Sequence, residues 1–405
     1  MQIKKLLQLI TLGFLLSACQ PSGGPLQGSA TPSVESPPTQ LPCNTVAAQP
    51  TLPSGVDSLF APVTSADWTS GPADAPVTII VYSDYQCTQC NDEILRVLAK
   101  ENSTQMRLVF RPYPQTALYD KSLLAAQAAE AAGAQDHYWE MHDLLFEKQS
   151  LWVSLPPDDF IAWVANEAKG LGLDKEKFNV DFTSEATVAR VQAAVAAGVK
   201  TGMPVLPLVL INGEIYTGPA TYAAFELVTK LTALGPRQFG ICPPFIINTN
   251  KQYIATIKTE KGDIVMELYA DKAPLTVNSF IFLARNGWYD GVSFYRVIPG
   301  FIAQTGDPSG TGLGGPGYVF VSELNAFLRF DKPGMLGMEN AGLNTNGSRF
   351  FITMKAAPQL DGLYTIFGYV LSGMDVLAKL TPRDSSQGGI LPTGDLIITI
   401  TVEER

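Results

Sequence analysis

Two cysteines, Cys87 and Cys90, stand three positions apart just after an apolar run, Val77 to Ser83. An X-Pro pair, Leu206-Pro207, opens a second apolar run, Leu208 to Ile211, about 120 residues downstream. Thiol–disulfide exchange needs a thiolate of lowered pKa, a resolving thiol within reach, and a fixed backbone edge against which a substrate chain can lie. A strand feeding a helix that starts at Cys87 supplies the first two. The partial positive charge of the helix N-terminus stabilises the Cys87 thiolate, and Cys90 follows one turn on. A cis Leu206–Pro207 bond would supply the third. The same Cys-x-x-Cys also fits half a zinc site or a purely structural disulfide. Zinc would need two further ligands, and the only histidines, His137 and His142, lie in a tryptophan-bearing helical segment where packing or surface roles are the simpler reading. No metal and no cofactor is expected.

The stretch Val81-Tyr-Ser-Asp-Tyr-Gln-Cys87-Thr-Gln-Cys90, then Tyr138-Trp-Glu-Met-His-Asp143, then Gly202-Met-Pro-Val-Leu-Pro207-Leu-Val-Leu-Ile-Asn-Gly213, resembles a thioredoxin-like disulfide oxidoreductase of the DsbA type across roughly residues 62–235. The resemblance implies an α/β thioredoxin-like fold with a helical insert, Cys87 and Cys90 as the catalytic pair, and Pro207 beside the substrate. Alanine-rich Lys121 to Ala132, Phe160 to Ala168, and Ala186 to Val199 carry the helical pattern of such an insert. Asn212-Gly213 between Leu208–Ile211 and Glu214–Thr217 predicts a two-residue hairpin that puts Pro207 at a strand's start.

After Pro243-Pro244 the pattern changes. Tyr253–Thr259 and Asp263–Tyr269 alternate around Lys261-Gly262 as a β-hairpin, Pro274 to Ala284 reads as a helix, and short strands follow to Leu396–Val402. Three segments, Phe294 to Asp307, Met338 to Ile352, and Leu360 to Gly368, look like a cyclophilin-type peptidyl-prolyl isomerase over roughly residues 252–403. That resemblance implies a closed β-barrel with flanking helices. It implies Arg296 as the catalytic arginine, a proline pocket of Phe301, Ile302, Phe351 and Leu360, and a groove lined by Gln304, Asn340 and Tyr364. Three positions depart from the common pattern. Gln359 stands where tryptophan is frequent, and Tyr364 and Tyr295 each stand where histidine is. These bear on cyclosporin affinity and substrate preference rather than on the arginine.

The chemistry suits those residue types. Rotation about an X-Pro bond breaks amide resonance against a barrier of about 18–20 kcal/mol. An arginine that donates to the prolyl nitrogen as it becomes pyramidal stabilises only the twisted state.

The N-terminus predicts the compartment. Lys4-Lys5, apolar Leu6 to Leu16, and Leu16-Ser-Ala-Cys19 form a charged n-region, a short h-region and a small-residue cleavage site. The ending resembles a bacterial lipobox, which implies lipid on Cys19 and an anchor on the extracytoplasmic side of a bacterial envelope. Pro-, Ser- and Gly-rich residues 20–60 read as a disordered tether. Of five cysteines, Cys43 and Cys242 remain, and in an oxidising compartment they form a candidate structural disulfide clamping the first domain's ends, or leave one thiol free. The net charge of −10 argues against nucleic acid as a partner.

The expected plan is thus a signal peptide (1–19), tether (20–60), thioredoxin-like domain (61–240), linker (241–251) and isomerase domain (252–405). The expected function is an extracytoplasmic folding factor, acting on secreted or envelope proteins with cysteines and X-Pro bonds and served by an unidentified redox partner. The alternatives are a chaperone or scaffold with one silent module, and a reductase or disulfide isomerase.

Overall fold

The computed structural model describes residues 43–46, 60–203, 205–384 and 391–405. Cys19 and the signal-like segment lie outside them. Strand β1 (Cys43–Thr45) is followed by β2 (Trp68–Ser70), β3 (Val77–Ser83), α1 (Glu93–Glu101), β4 (Met106–Pro112) and α2 (Ser122–Gly133). Then come α3 (Tyr138–Glu147), α4 (Gln149–Trp152), α5 (Pro157–Gly170), α6 (Lys175–Phe182), α7 (Glu185–Thr201), β5 (Leu208–Ile211), β6 (Glu214–Ile215) and α8 (Tyr222–Ala233).

The first domain is thioredoxin-like. Its sheet has the order β2-β4-β3-β5-β6, with β3 and β4 parallel. β3 is rich in apolar residues on both faces, with Val77, Ile79, Ile80, Val81 and Tyr82 all buried, because it is central and covered on both sides. The small alanines of α2, among them Ala125, Ala128 and Ala132, are buried and let neighbouring helices approach closely. Trp152, Phe160 and Phe178 fill the space between sheet and helical insert. The hairpin between β5 and β6 turns on Asn212 and Gly213, both at positive φ, as a two-residue turn of this hand requires.

One sequence expectation fails here. The helix after β3 starts at Glu93, not at Cys87. The intervening chain makes two successive turns, Cys87 N donating to the Asp84 carbonyl and Cys90 N to the Cys87 carbonyl. The Asp84 carboxylate holds the first turn by accepting from Gln86 N at 2.8 Å, and Asn91 Oδ1 takes the Glu93 amide at 2.7 Å. The α1 ladder therefore begins at the Asp92 carbonyl, which accepts from Arg96 N.

The second domain comprises β7 (Tyr253–Thr259), β8 (Gly262–Leu268), α9 (Pro274–Arg285), β9 (Arg296–Ile298), β10 (Ile302–Thr305), β11 (Tyr318–Phe320), β12 (Met335–Met338), β13 (Phe350–Thr353), β14 (Thr365–Ser372), α10 (Met374–Lys379) and β15 (Ile397–Glu404). Eight strands curl in the order β15-β7-β8-β14-β12-β13-β10-β9 around a core containing Phe280, Tyr289, Phe294 and Phe367. The two edges meet at a bridge between Ser293 and Leu396 rather than along a full ladder. Helix α9 has alanine at its N-cap, and the carboxylate of Glu323 from a distant loop accepts from Leu275 N and Thr276 N instead.

The expected tether and linker are partly built into this second domain. β1 pairs antiparallel with β11, Cys43 opposite Phe320 and Thr45 opposite Tyr318. Cys43 is bridged to Cys242 with Cα atoms 6.1 Å apart. The bridge therefore ties the entry and exit of the thioredoxin-like domain together on the barrel surface. Linker residues are also packed: Ile247 is buried in the barrel core, and Ile246 N donates to Asn278 Oδ1 at 2.6 Å. Phe245, Ile246 and Ile247 together carry too much apolar surface for this segment to remain a free linker.

Candidate functional sites

Register builds the groove of the second domain. Gln304 of β10 faces Arg296 of β9 on one side and Phe351 of β13 on the other, and Phe351 in turn faces Gly337 of β12. Residues directly opposite in adjacent strands share a face, so the polar pair and the aromatic ring lie in one row. Gly337 is required by that row: a Cβ there would lie 2.2 Å from the Phe351 ring. Ile302, two residues from Gln304, shares the face and joins Phe351 in an apolar cluster, against which Phe301, Leu360 and Tyr364 pack. The Phe351 and Tyr364 rings meet edge to face at 5.2 Å.

The polar side of the groove is a hydrogen-bonded chain. Arg296 Nη1 donates to Gln304 Oε1 at 2.8 Å, and its Nε lies 3.6 Å from the Asp384 carboxylate. Gln304 Nε2 donates to Glu339 Oε2 at 2.9 Å. The Tyr295 hydroxyl donates to the same oxygen at 2.6 Å, and Arg349 Nη1 reaches Glu339 Oε1 at 3.2 Å. Burial, and then the negative charge of Glu339, push the Tyr295 phenol far above its ordinary value, so it remains a donor. Asn340, expected to line the groove, donates its side-chain amide to the Leu363 carbonyl at 3.2 Å and so braces the loop that leads to Tyr364. Gln359 is exposed.

In the first domain Cys87 and Cys90 are joined, with Cα atoms 5.2 Å apart. Cys90 is wholly buried, Cys87 is 8% exposed, and Thr88 and Gln89 between them face solvent. The Leu206–Pro207 bond is cis. Because Leu208 pairs with Tyr82, Pro207 lies at the sheet end where β3 runs out towards the cysteine turn. The turn is supported from below. Gln149 Nε2 donates to the carbonyls of Tyr85 and Cys87, and Ser83 Oγ donates to the Cys90 carbonyl. Asp84 is buried, and its carboxylate accepts from Gln86 N, Gln115 N and Ser122 Oγ. Desolvation nevertheless pushes its pKa up.

His142 is buried between Tyr85 Oη and Asp92 Oδ1, each 3.1 Å away, and aromatic rings surround it. His137 contacts the Gln135 carbonyl near the start of α3. Among the described residues no three acidic, histidine or cysteine side chains are grouped to hold a metal ion. None of the helices described is long and apolar enough to cross a membrane.

Sequence reading missed Glu339, Asp384 and Arg349 on the polar side of the groove, and Gln149 beneath the cysteines, while His142 has the packing role read for it. Glu339 and Arg349 sit inside the quoted Met338–Ile352 segment, so proximity to Asn340 was a usable signal. Nothing local marks Asp384, which is 88 residues from Arg296.

Residues 254–402 match the family model "Cyclophilin type peptidyl-prolyl cis-trans isomerase/CLD", and residues 64–230 match the model "Thioredoxin". Among curated proteins, a Peptidyl-prolyl cis-trans isomerase-like 2 of Rhizopus delemar is 50% identical over 133 residues, which are 32% of this chain and 25% of that protein. The chain thus spans about a quarter of that relative's length. Peptidyl-prolyl cis-trans isomerase ppi1 of Schizosaccharomyces pombe is 48% identical over 141 residues, 34% of this chain and 91% of that one. A crystal structure of a cyclophilin type isomerase from Cryptosporidium parvum aligns with 36% identity and a TM-score of 0.35, over 38% of this chain and 98% of the other.

Proposed function

We propose, for a chain that belongs to the cyclophilin-type peptidyl-prolyl cis-trans isomerases and carries a thioredoxin-like domain ahead of that module, a folding factor that couples two slow steps of secreted-protein folding. In the groove, the cluster of Phe301, Ile302, Phe351 and Leu360 grips a prolyl ring. Arg296, held by Gln304, donates to the prolyl nitrogen as the amide twists, and no covalent step occurs. In the first domain, a client thiolate attacks Cys87 Sγ and expels Cys90 as thiolate. The client's second thiolate then attacks its own sulfur of the mixed disulfide and releases Cys87. The client loses two electrons and two protons, and the cysteine pair gains them.

The observation that carries the redox half is the Cys87–Cys90 bridge across a solvent-facing turn, at the sheet end shared with Pro207. The compartment is part of the same proposal: lipid on Cys19 and a bacterial envelope location on the extracytoplasmic side, with secreted or envelope proteins as clients. The test is a paired assay of the full chain, with isomerisation of an X-Pro peptide and reoxidation of a reduced client. A reduction potential at or below that of thioredoxin, about −270 mV, would make the domain a reductase. A Cys87→Ser variant with full reoxidation activity would overturn the redox half altogether.

A further inference from the structure

Glu339 follows the last residue of β12, and its amide N donates to the Arg349 carbonyl at 2.8 Å, so its backbone continues the pairing of β12 with β13. The side chain is 16% exposed and meets the groove's polar pair through Gln304. We propose that Glu339 is a positioning residue of the isomerase, which fixes the polarity of the Gln304 amide and through it the place of the Arg296 guanidinium.

The argument turns on what each group can donate. A glutamine amide has a donor end and an acceptor end of nearly equal shape, and packing alone barely distinguishes them. An ionised carboxylate is acceptor-only. With Glu339 Oε2 at 2.9 Å, the end of Gln304 that faces it must be the NH2 group, which leaves Oε1 at 2.8 Å from Arg296 Nη1. Reversing the amide would set an acceptor against the carboxylate and NH2 against a guanidinium, which has no acceptor at all. Both charge-assisted bonds would be lost together.

The surroundings keep Glu339 in this role. Arg349 supplies the opposite charge at 3.2 Å, which makes an ionised carboxylate tolerable in a site this enclosed. Tyr295 directs its one hydroxyl proton to Oε2 at 2.6 Å and so helps to hold the carboxylate in place. This also gives Tyr295 a reason to stand beside the arginine: its hydroxyl reaches Glu339, and the Arg296 side chain is left to Gln304 and Asp384. Three donors, one from β10 and two from residues flanking β9 and β13, thus converge on one carboxylate. The prolyl nitrogen is met by a guanidinium whose direction that carboxylate sets. A guanidinium free to swing would bind a ground-state chain nearly as well but would donate less well to the twisted amide, so the loss belongs in kcat.

The proposal rests on Arg296 as the group that acts on the prolyl bond, and the test separates the two. Isomerisation of an X-Pro peptide is measured for the full chain and for Arg296→Ala, Glu339→Ala and the exchange Glu339→Gln with Gln304→Glu. Expected for Glu339→Ala is a kcat about ten- to a hundredfold lower, the scale of a displaced catalytic group, with KM within twofold. The exchange moves the carboxylate to position 304, where one oxygen faces Arg296 and the other faces the amide introduced at position 339. It should recover to within threefold of the parent. Near-parental kcat for Glu339→Ala, or an exchange no better than Glu339→Ala, overturns the proposal. Full activity in Arg296→Ala overturns the site reading beneath it. If Glu339→Ala does not fold, the side-chain amide resonances of Gln304 in Glu339→Gln decide: unchanged shifts refute the positioning role, and displaced ones support it.

Discussion

The Cys43–Cys242 bridge should stabilise one domain and leave the chemistry of the other intact. The two residues are separated by 199 positions, and the loop they close contains the whole thioredoxin-like domain but almost none of the barrel. In the chain-entropy account, closing a loop of that length removes freedom from the unfolded chain worth about 5 kcal/mol. The double variant Cys43→Ser, Cys242→Ser keeps the three-residue pairing of β1 with β11, so part of the tethering survives until that short strand frays. At a slope of about 2 kcal/mol per molar urea, the midpoint of the thioredoxin-like domain should fall by roughly 1–2.5 M.

Intrinsic fluorescence reads that domain, which holds Trp68, Trp139, Trp152 and Trp163, while Trp288 alone sits in the barrel. Isomerase activity in the same urea series reads the barrel. Fluorescence and activity midpoints should move apart in the variant. A fluorescence midpoint shifted by less than about 0.3 M would refute the loop-closure reasoning. A shift confined to the activity midpoint would show instead that the bridge serves mainly to hold β1 on the barrel.

Arg296→Ala should lower kcat/KM by about 10²–10³, the range for removing one transition-state donor, with circular dichroism unchanged because the side chain lies at the surface of the groove. Gly337→Ala should force the Phe351 ring aside, destabilising the barrel by about 1–3 kcal/mol in urea titrations and weakening binding of proline peptides. Limiting alkylation of the reduced chain at low pH should label Cys87 before Cys90, which is wholly buried; the reverse order would overturn the assignment of Cys87 as attacking thiol. The pair's potential should fall between those of DsbA and thioredoxin, about −120 and −270 mV, because Thr88 and Gln89 bring no positive charge and the cysteine turn stands ahead of the α1 N-terminus; a value at or above −120 mV would refute this. Burial raises the Asp67 carboxyl, but the Arg111 guanidinium at 2.7 Å and the Thr64 amide outweigh it and hold the pKa below its ordinary value. A lowered carboxyl stabilises above its unfolded pKa and loses that contribution as pH falls through the folded value. Asp67→Asn should therefore lower the urea midpoint at pH 7, with the difference closing as pH falls through the lowered folded-state pKa of Asp67.

The sequence alone determined the two-domain order, the central strand Val77–Ser83, the hairpin at Asn212-Gly213 and the helices rich in alanine, since period, turn chemistry and propensity are local properties that each segment carries with it. It also marked Cys87, Cys90, Arg296 and the apolar groove residues, whose types sit in short contiguous motifs. Three things were decided only in the tertiary structure. The helix after the cysteines begins at Glu93 because buried Asp84 ties the chain into turns with groups from Gln115 and Ser122, and no window around Cys87 contains those partners. The assumed tether contributes β1 because the edge of β11 offers it backbone partners more than 270 residues away in the chain. Glu339 reaches Gln304, Tyr295 and Arg349 only because four strands lie in one register. A carboxylate at the end of a strand has no readable role in sequence until the curl of the sheet brings its donors within 3.2 Å.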